Sequence, residues 1–165
     1  MAAAKMTCFW VILIACSSLQ VACKNEMPER LTINGETFIM ELAVTEETRT
    51  KGMSGRDRFP DGGGMLFVFP DAQVRSFWMF ECLIDIDIIF VDSRGTVTAI
   101  HRMPAEPLQG EDESIFDYEA RLPRYSSRYP AQFAIELPAG SIDRLHVRVE
   151  DRIDLDLERL KAMAK

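Results

Sequence analysis

Three apolar runs packed into residues 64–91 limit what this chain can fold into. They are Gly64-Met65-Leu66-Phe67-Val68-Phe69-Pro70, Ser76-Phe77-Trp78-Met79-Phe80 and Ile84-Asp85-Ile86-Asp87-Ile88-Ile89-Phe90-Val91. Each has the length of a strand, aromatic or β-branched weight, and turn residues such as Pro70-Asp71 and Glu81-Cys82 at its ends. The first and third are apolar at nearly every position, which predicts burial on both faces of a sheet rather than on one. The centre of the fold is therefore a β core, and the remaining elements must cover it.

The flanking segments extend that reading. Leu31 to Val44 holds Asn34-Gly35 between two strand-like runs, a hairpin signal because both turn residues need positive φ. Thr45 to Gly52 reads as a short helix, with Thr45 as cap, Glu46 and Glu47 at the positive end, and Lys51-Gly52 at the exit. Gly62-Gly63-Gly64 is read as a close approach of backbone to the core, because no Lys-Ser/Thr follows to complete a phosphate loop. Asp92-Ser93-Arg94-Gly95 is a turn leading into a strand over 96–103, the second half of another hairpin. Periodicity then lapses from Pro104 to Pro130, a long loop carrying Tyr118, Arg121, Arg124 and Tyr125. Residues 132–137 return to strand, 138–145 give a helical turn, and 146–157 supply the last strand or strands before a helical tail over 158–165, expected to fray. Many short strands and few helices predict an all-β sandwich or barrel.

With 165 residues the chain has room for one domain, here placed at 30–157. The net charge of −7 and the lack of any basic stripe exclude nucleic acid as a natural partner. The first 15 residues have the form of an export signal: Lys5, then the apolar run Cys8 to Ala15, too short to cross a bilayer, which takes roughly 20 residues. The run ends in Leu13-Ile14-Ala15-Cys16, which resembles a bacterial lipobox; Gln20-Val21-Ala22-Cys23 is the alternative site. The expected address is the cell envelope or periplasm, with Cys16 lipidated and residues 16–29 forming a flexible tether from membrane to domain. Cleavage at Cys16 would leave Cys23 and Cys82 able to pair, and cleavage at Cys23 would leave Cys82 alone. Cys82 is read as a buried, inert thiol.

The order and spacing of Gly52-Met53-Ser54-Gly55-Arg56, Gly64-Met65-Leu66-Phe67, Phe77-Trp78-Met79, Asp87-Ile88-Ile89-Phe90, Ile100-His101, Tyr129-Pro130-Ala131 and Glu136-Leu137 resemble the domain of unknown function 192 family over roughly residues 31–155. The resemblance implies a jelly-roll-like β-sandwich with one or two short helices and an export signal, and it supplies no activity. The chain departs from the family pattern in the stretch after Met79, where Phe80-Glu81-Cys82 stands in place of Lys-Asn-Thr.

The chemistry-bearing residues are few. Asp87 interrupts an apolar strand, where an unpaired carboxylate is costly, so it is expected to pair with Arg56. Glu136 sits mid-strand in the same way. Trp78 is read as core, with a ligand-stacking platform as the alternative. Two functional readings follow. One is a non-catalytic envelope module that binds a small ligand, glycan or partner protein, using Arg56, Trp78 and Asp87. The other is a hydrolase-like or metal-dependent enzyme using Asp87, His101 and Glu136, although no His-x-His spacing enforces a metal geometry and no cofactor or metal is expected. The first is preferred, and convergence of those three groups in one cleft would favour the second.

Overall fold

The computed structural model describes residues 29–165. The expected signal peptide over 1–15, the tether and the lipidation sites Cys16 and Cys23 lie outside the described residues. Within the described residues the protein is mainly β. Strands β1 (Glu29–Ile33), β2 (Glu36–Ala43), β3 (Gly63–Gln73), β5 (Ile86–Val91), β6 (Val97–Met103) and β8 (Ala131–Pro138) form one sheet in the order β1-β2-β3-β8-β5-β6. β4 (Ser76–Phe77) and β7 (Tyr125–Ser126) pair as a separate ribbon. The sheet does not close into a barrel. Short helices α1 (Glu46–Lys51), α2 (Ile115–Arg121), α3 (Ser141–Leu145) and α4 (Leu157–Met163) complete the chain.

The apolar runs define the middle of the sheet, as their composition requires. β5 is buried at every position and β3 is buried from Gly63 to Phe69. β8 runs antiparallel between them, with Leu66 opposite Ile135 on one side and Ile89 opposite Ile135 on the other. Asn34 and Gly35 both take positive φ and close the β1–β2 hairpin. Thr45 caps α1 through a reciprocal bond with Thr48. The strand that follows α1, β3, lies parallel to β2, because the helix carries the chain over the sheet before it re-enters.

Side-chain alternation sorts the core into two faces. One holds Leu66, Val68, Ile89, Phe133 and Ile135, covered by Ile142 and Leu145 of α3 and Leu160 of α4. The other holds Met65, Phe67, Ile88, Phe90 and Ala134, covered by Met53, Met79 and Cys82.

Several expected elements take other forms. The 76–80 run contributes two residues of strand, paired to β7 rather than to the main sheet, and Glu81 turns the chain with a φ of 52°. The long loop contains α2 and β7, with the side chain of Ser114 capping α2. No strand forms over 146–157: His146 and Glu150 adopt φ of 54° and 78°, which break extended backbone into turns and leave a single bridge between Thr96 and Arg152. The tail forms the expected helix as α4, packed rather than frayed, with Leu160 fully buried.

Gly64 sets how closely β3 and β8 approach. A Cβ there would sit 2.7 Å from the carbonyl oxygen of Glu136 and 2.8 Å from the Met40 methyl. Gly64→Ala is expected to cost about 1–3 kcal/mol of stability in urea unfolding, as overpacked cores do. Gly110→Ala, where the added methyl meets nothing closer than 3.6 Å, is expected to leave the midpoint nearly unchanged.

Candidate functional site

On the second face a row of side chains crosses the sheet in register: Glu41, Met65, Glu136, Ile88 and His101. Arg56 reaches the start of this row and places Nη1 at 2.8 and 2.9 Å from the two oxygens of Glu41. Asp87 leaves β5 on the opposite face, so the expected Arg56–Asp87 pair does not form. A one-residue step along a strand reverses the side chain, and Asp87 follows Ile86 and precedes Ile88, both of the second face.

Asp87 does a different job. Its Oδ2 accepts the backbone N–H of Ile142 at 2.8 Å, at the start of α3, whose own cap position is Gly140 and offers no side chain. Burial raises the Asp87 carboxyl above its ordinary range, and the bond from Ile142 opposes that rise. His101 is likewise occupied: its Nε2 lies 2.8 Å from the Ser126 carbonyl and its ring meets Phe90 and Tyr125 edge-on. Asp87, His101 and Glu136 therefore do not converge. Among the described residues no group of three or more His, Cys, Asp or Glu side chains is placed to hold a metal ion.

Glu136 is the exception to this pattern of satisfied groups. It is 5% exposed, and its Oε2 is buried without a hydrogen-bond partner among the described residues. Burial pushes its carboxyl up to about 8, with Arg56 pulling weakly the other way. At neutral pH it is thus largely a carboxylic acid, able both to donate and to accept. It lies against a cleft of about 580 Å³ on the second face, between α1 and the turn from β3 into β4.

The cleft is walled by aromatic rings. Phe77 stands edge-on to Phe67 and Phe69, with centroids at 5.0 and 6.3 Å. Trp78 stacks on Phe80 at 5.5 Å, and the Arg124 guanidinium covers the indole at 3.5 Å from the ring centroid. Trp78 is half-buried at the cleft wall rather than in the core, because the turn after β4 lifts it out of the sheet. The long loop holds that wall in place: the hydroxyl of buried Tyr118 accepts the Glu81 N–H at 2.9 Å, and Tyr125 pairs with Phe77. The thiol of Cys82 also faces the cleft, pushed up to about 12 by burial and then by the nearby carboxylates, so it is no thiolate nucleophile near neutrality.

Of the residues singled out in the sequence, Trp78 and Glu136 line this cleft, Arg56 stands behind it and acts on Glu136 through its charge, and Asp87 and His101 stand elsewhere. Sequence reasoning missed Phe67, Phe69, Arg49 and Arg75. Phe67 and Phe69 alternate along β3 and carried a readable signal, whereas the two arginines come from distant segments and carried none.

Fold and site together define a mainly-β domain with an aromatic cleft over a buried carboxylic acid. The chain belongs to the DUF192 family, described as uncharacterized ACR, which matches residues 29–155. The chain is also similar to solved structures. A proposed transcription regulator from Sinorhizobium meliloti 1021 is 31% identical with a TM-score of 0.59, over 76% of this chain and 89% of the other. A protein of unknown function from Novosphingobium aromaticivorans DSM 12444 is 27% identical with a TM-score of 0.59, over 76% and 81%. No curated protein matches the chain.

The Glu136 carboxyl has a measurable consequence. It ionises near 4.5 in an unfolded chain and near 8 in the fold. Its protonated native form is therefore favoured below about pH 4.5, and that advantage is lost as pH rises through 8. The loss is roughly 3–5 kcal/mol. Urea unfolding from about pH 5 to 9 should show wild type falling steeply relative to Glu136→Gln, with the variant the more stable at high pH. Parallel profiles would show that Glu136 is ionised in the native state.

Proposed function

We infer that this domain is a non-catalytic binding module that takes a small ligand in the cleft between α1 and the β3–β4 turn. The observation that carries the reading is Glu136, whose Oε2 is a buried oxygen with no protein partner beside an aromatic-walled cavity. A buried polar atom left unpaired costs about 1–3 kcal/mol, and a ligand hydrogen bond would recover it once the side chain turns its oxygen toward the cleft. The cavity volume falls within the range of small-molecule sites, roughly 300–1,000 Å³. The separation of Asp87, His101 and Glu136 supports binding over the hydrolase reading, as does the raised Cys82 thiol. The name of the Sinorhizobium meliloti relative points to regulation, and ligand binding is compatible with that role without requiring DNA contact by this acidic chain.

The Leu13-Ile14-Ala15-Cys16 pattern supports placing this module at the cell envelope on an N-terminal lipid. Metabolic labelling with a fatty-acid analogue is expected to tag the protein and to be abolished by Cys16→Ser. A label that persists in Cys16→Ser and is lost in Cys23→Ser moves the anchor to Cys23.

Binding itself is tested with N-phenyl-1-naphthylamine, a neutral aromatic probe that brightens in apolar sites. Trp78→Ala is expected to weaken probe binding by about tenfold through loss of apolar cleft wall, since the indole faces are taken by Phe80 and Arg124. Its denaturant midpoint should move much less than the about 3–5 kcal/mol of a core aromatic truncation. Wild type that leaves the probe dark, or a variant that binds it equally well, removes the cleft as a binding site.

A further inference from the structure

Arg75 lines the same cleft and carries a second unpartnered polar atom, buried against the Phe69 ring. Nε of Arg75 is buried and lacks a hydrogen-bond partner among the described residues, while Nη2 of the same guanidinium is held by the backbone and side chain of Asp71. That guanidinium lies over the Phe69 ring at 4.1 Å from its centroid. Arg49 approaches the same ring at 5.5 Å, with its two terminal nitrogens on the carbonyls of Val68 and Lys165. Burial, and after it the like charge of Arg75, lower the Arg49 guanidinium from its ordinary value. Two guanidiniums thus flank one ring and repel each other, and Lys51 adds a third cation to the lining. Against them stand Glu46, the Asp71 carboxylate paired with Arg75, and the largely neutral Glu136, which leaves a small positive excess at the cleft within a chain of net charge −7.

The two unpartnered atoms are separated along one strand. Glu136 is opposite Met65, and Phe69, beneath Arg75, lies further along β3. At about 3.3 Å per residue the offset along β3 is roughly 13 Å. Phe67, Phe69 and Phe77 floor the distance between. A ligand that satisfies both ends needs an anionic acceptor at the guanidiniums and a group that can donate or accept at the carboxyl. A hydroxyl meets the second requirement whichever protonation state Glu136 holds.

We propose that the cleft selects elongated, planar organic acids, with a carboxylate at Arg75 and Arg49, an aromatic or conjugated body over the phenylalanines, and a distal hydroxyl at Glu136. The proposal rests on the cleft being the binding site and names the class of ligand it takes. Its test uses 4-hydroxycinnamate, its neutral methyl ester and cinnamate lacking the hydroxyl, each competed against N-phenyl-1-naphthylamine. Wild type should bind the hydroxy acid at least about tenfold more tightly than either analogue, the worth of one charge-assisted hydrogen bond or one restored buried partner. In Arg75→Met the preference of acid over ester should vanish while the neutral probe still binds; if that variant does not fold, the three-compound ladder on wild type decides alone. An ester that binds as tightly as the acid overturns the proposal, and a bright neutral probe in that experiment leaves the cleft itself intact as a binding site. Failure of the neutral probe as well removes both.

Discussion

The structure depends on one strand being enclosed. β8 is buried on both faces and hydrogen-bonded along both edges, to β3 and to β5, so every backbone group in its middle is satisfied by neighbours from distant sequence. Enclosure of that kind requires a covering layer above and below. On one face α3 and α4 supply it with Ile142, Leu145 and Leu160. On the other face the cover is assembled from α1, the segment after β4 and the long loop, and these pieces leave a cleft of about 580 Å³. A carboxyl on the first face would be sealed against helices, as Asp87 is; a carboxyl on the second face is left beside open space.

Asp87 and Glu136 make that contrast concrete. Both interrupt apolar strands and both are nearly fully buried. Asp87 is stabilised by the Ile142 N–H at a helix start that lacks a cap of its own, which accounts for a carboxylate in the middle of β5. Glu136 has no such partner for Oε2, and Arg56, whose charge acts on it, is committed to Glu41. A fold that carries an unsatisfied buried oxygen gives up stability unless something else satisfies it. The aromatic-walled cleft lies beside that oxygen and the guanidiniums of Arg49 and Arg75 stand over Phe69, which is what supports the proposed reading as a small-molecule site.

The loop from 104 to 130 acquires a role in the same terms. Tyr118 bonds the Glu81 backbone, Arg121 lies against the Tyr118 ring, and Arg124 covers Trp78. The segment is therefore a brace that holds the outer wall of the cleft. Its aromatic and arginine content, visible in the sequence, matches that mechanical task.

The sequence by itself determined the β core, the two hairpins, the capped helix α1 and the close approach at Gly64, because each rests on a local requirement: burial on both faces, positive φ, a capping hydroxyl, or the absence of a Cβ. It did not determine which strands lie side by side, and that decided the site. Whether Asp87 and Glu136 share a face depends on register across β5 and β8, whose residues are far apart in the chain, and a shift of one residue would have reversed the answer. Trp78 reads as core by composition and stands at a cleft wall because the turn at Glu81 and the pairing of β4 with β7 take it off the sheet. The convergence of Arg49, Arg75 and Phe69 is likewise tertiary: a guanidinium from a helix and another from a turn meet over a ring from β3, and no spacing along the chain encodes that meeting.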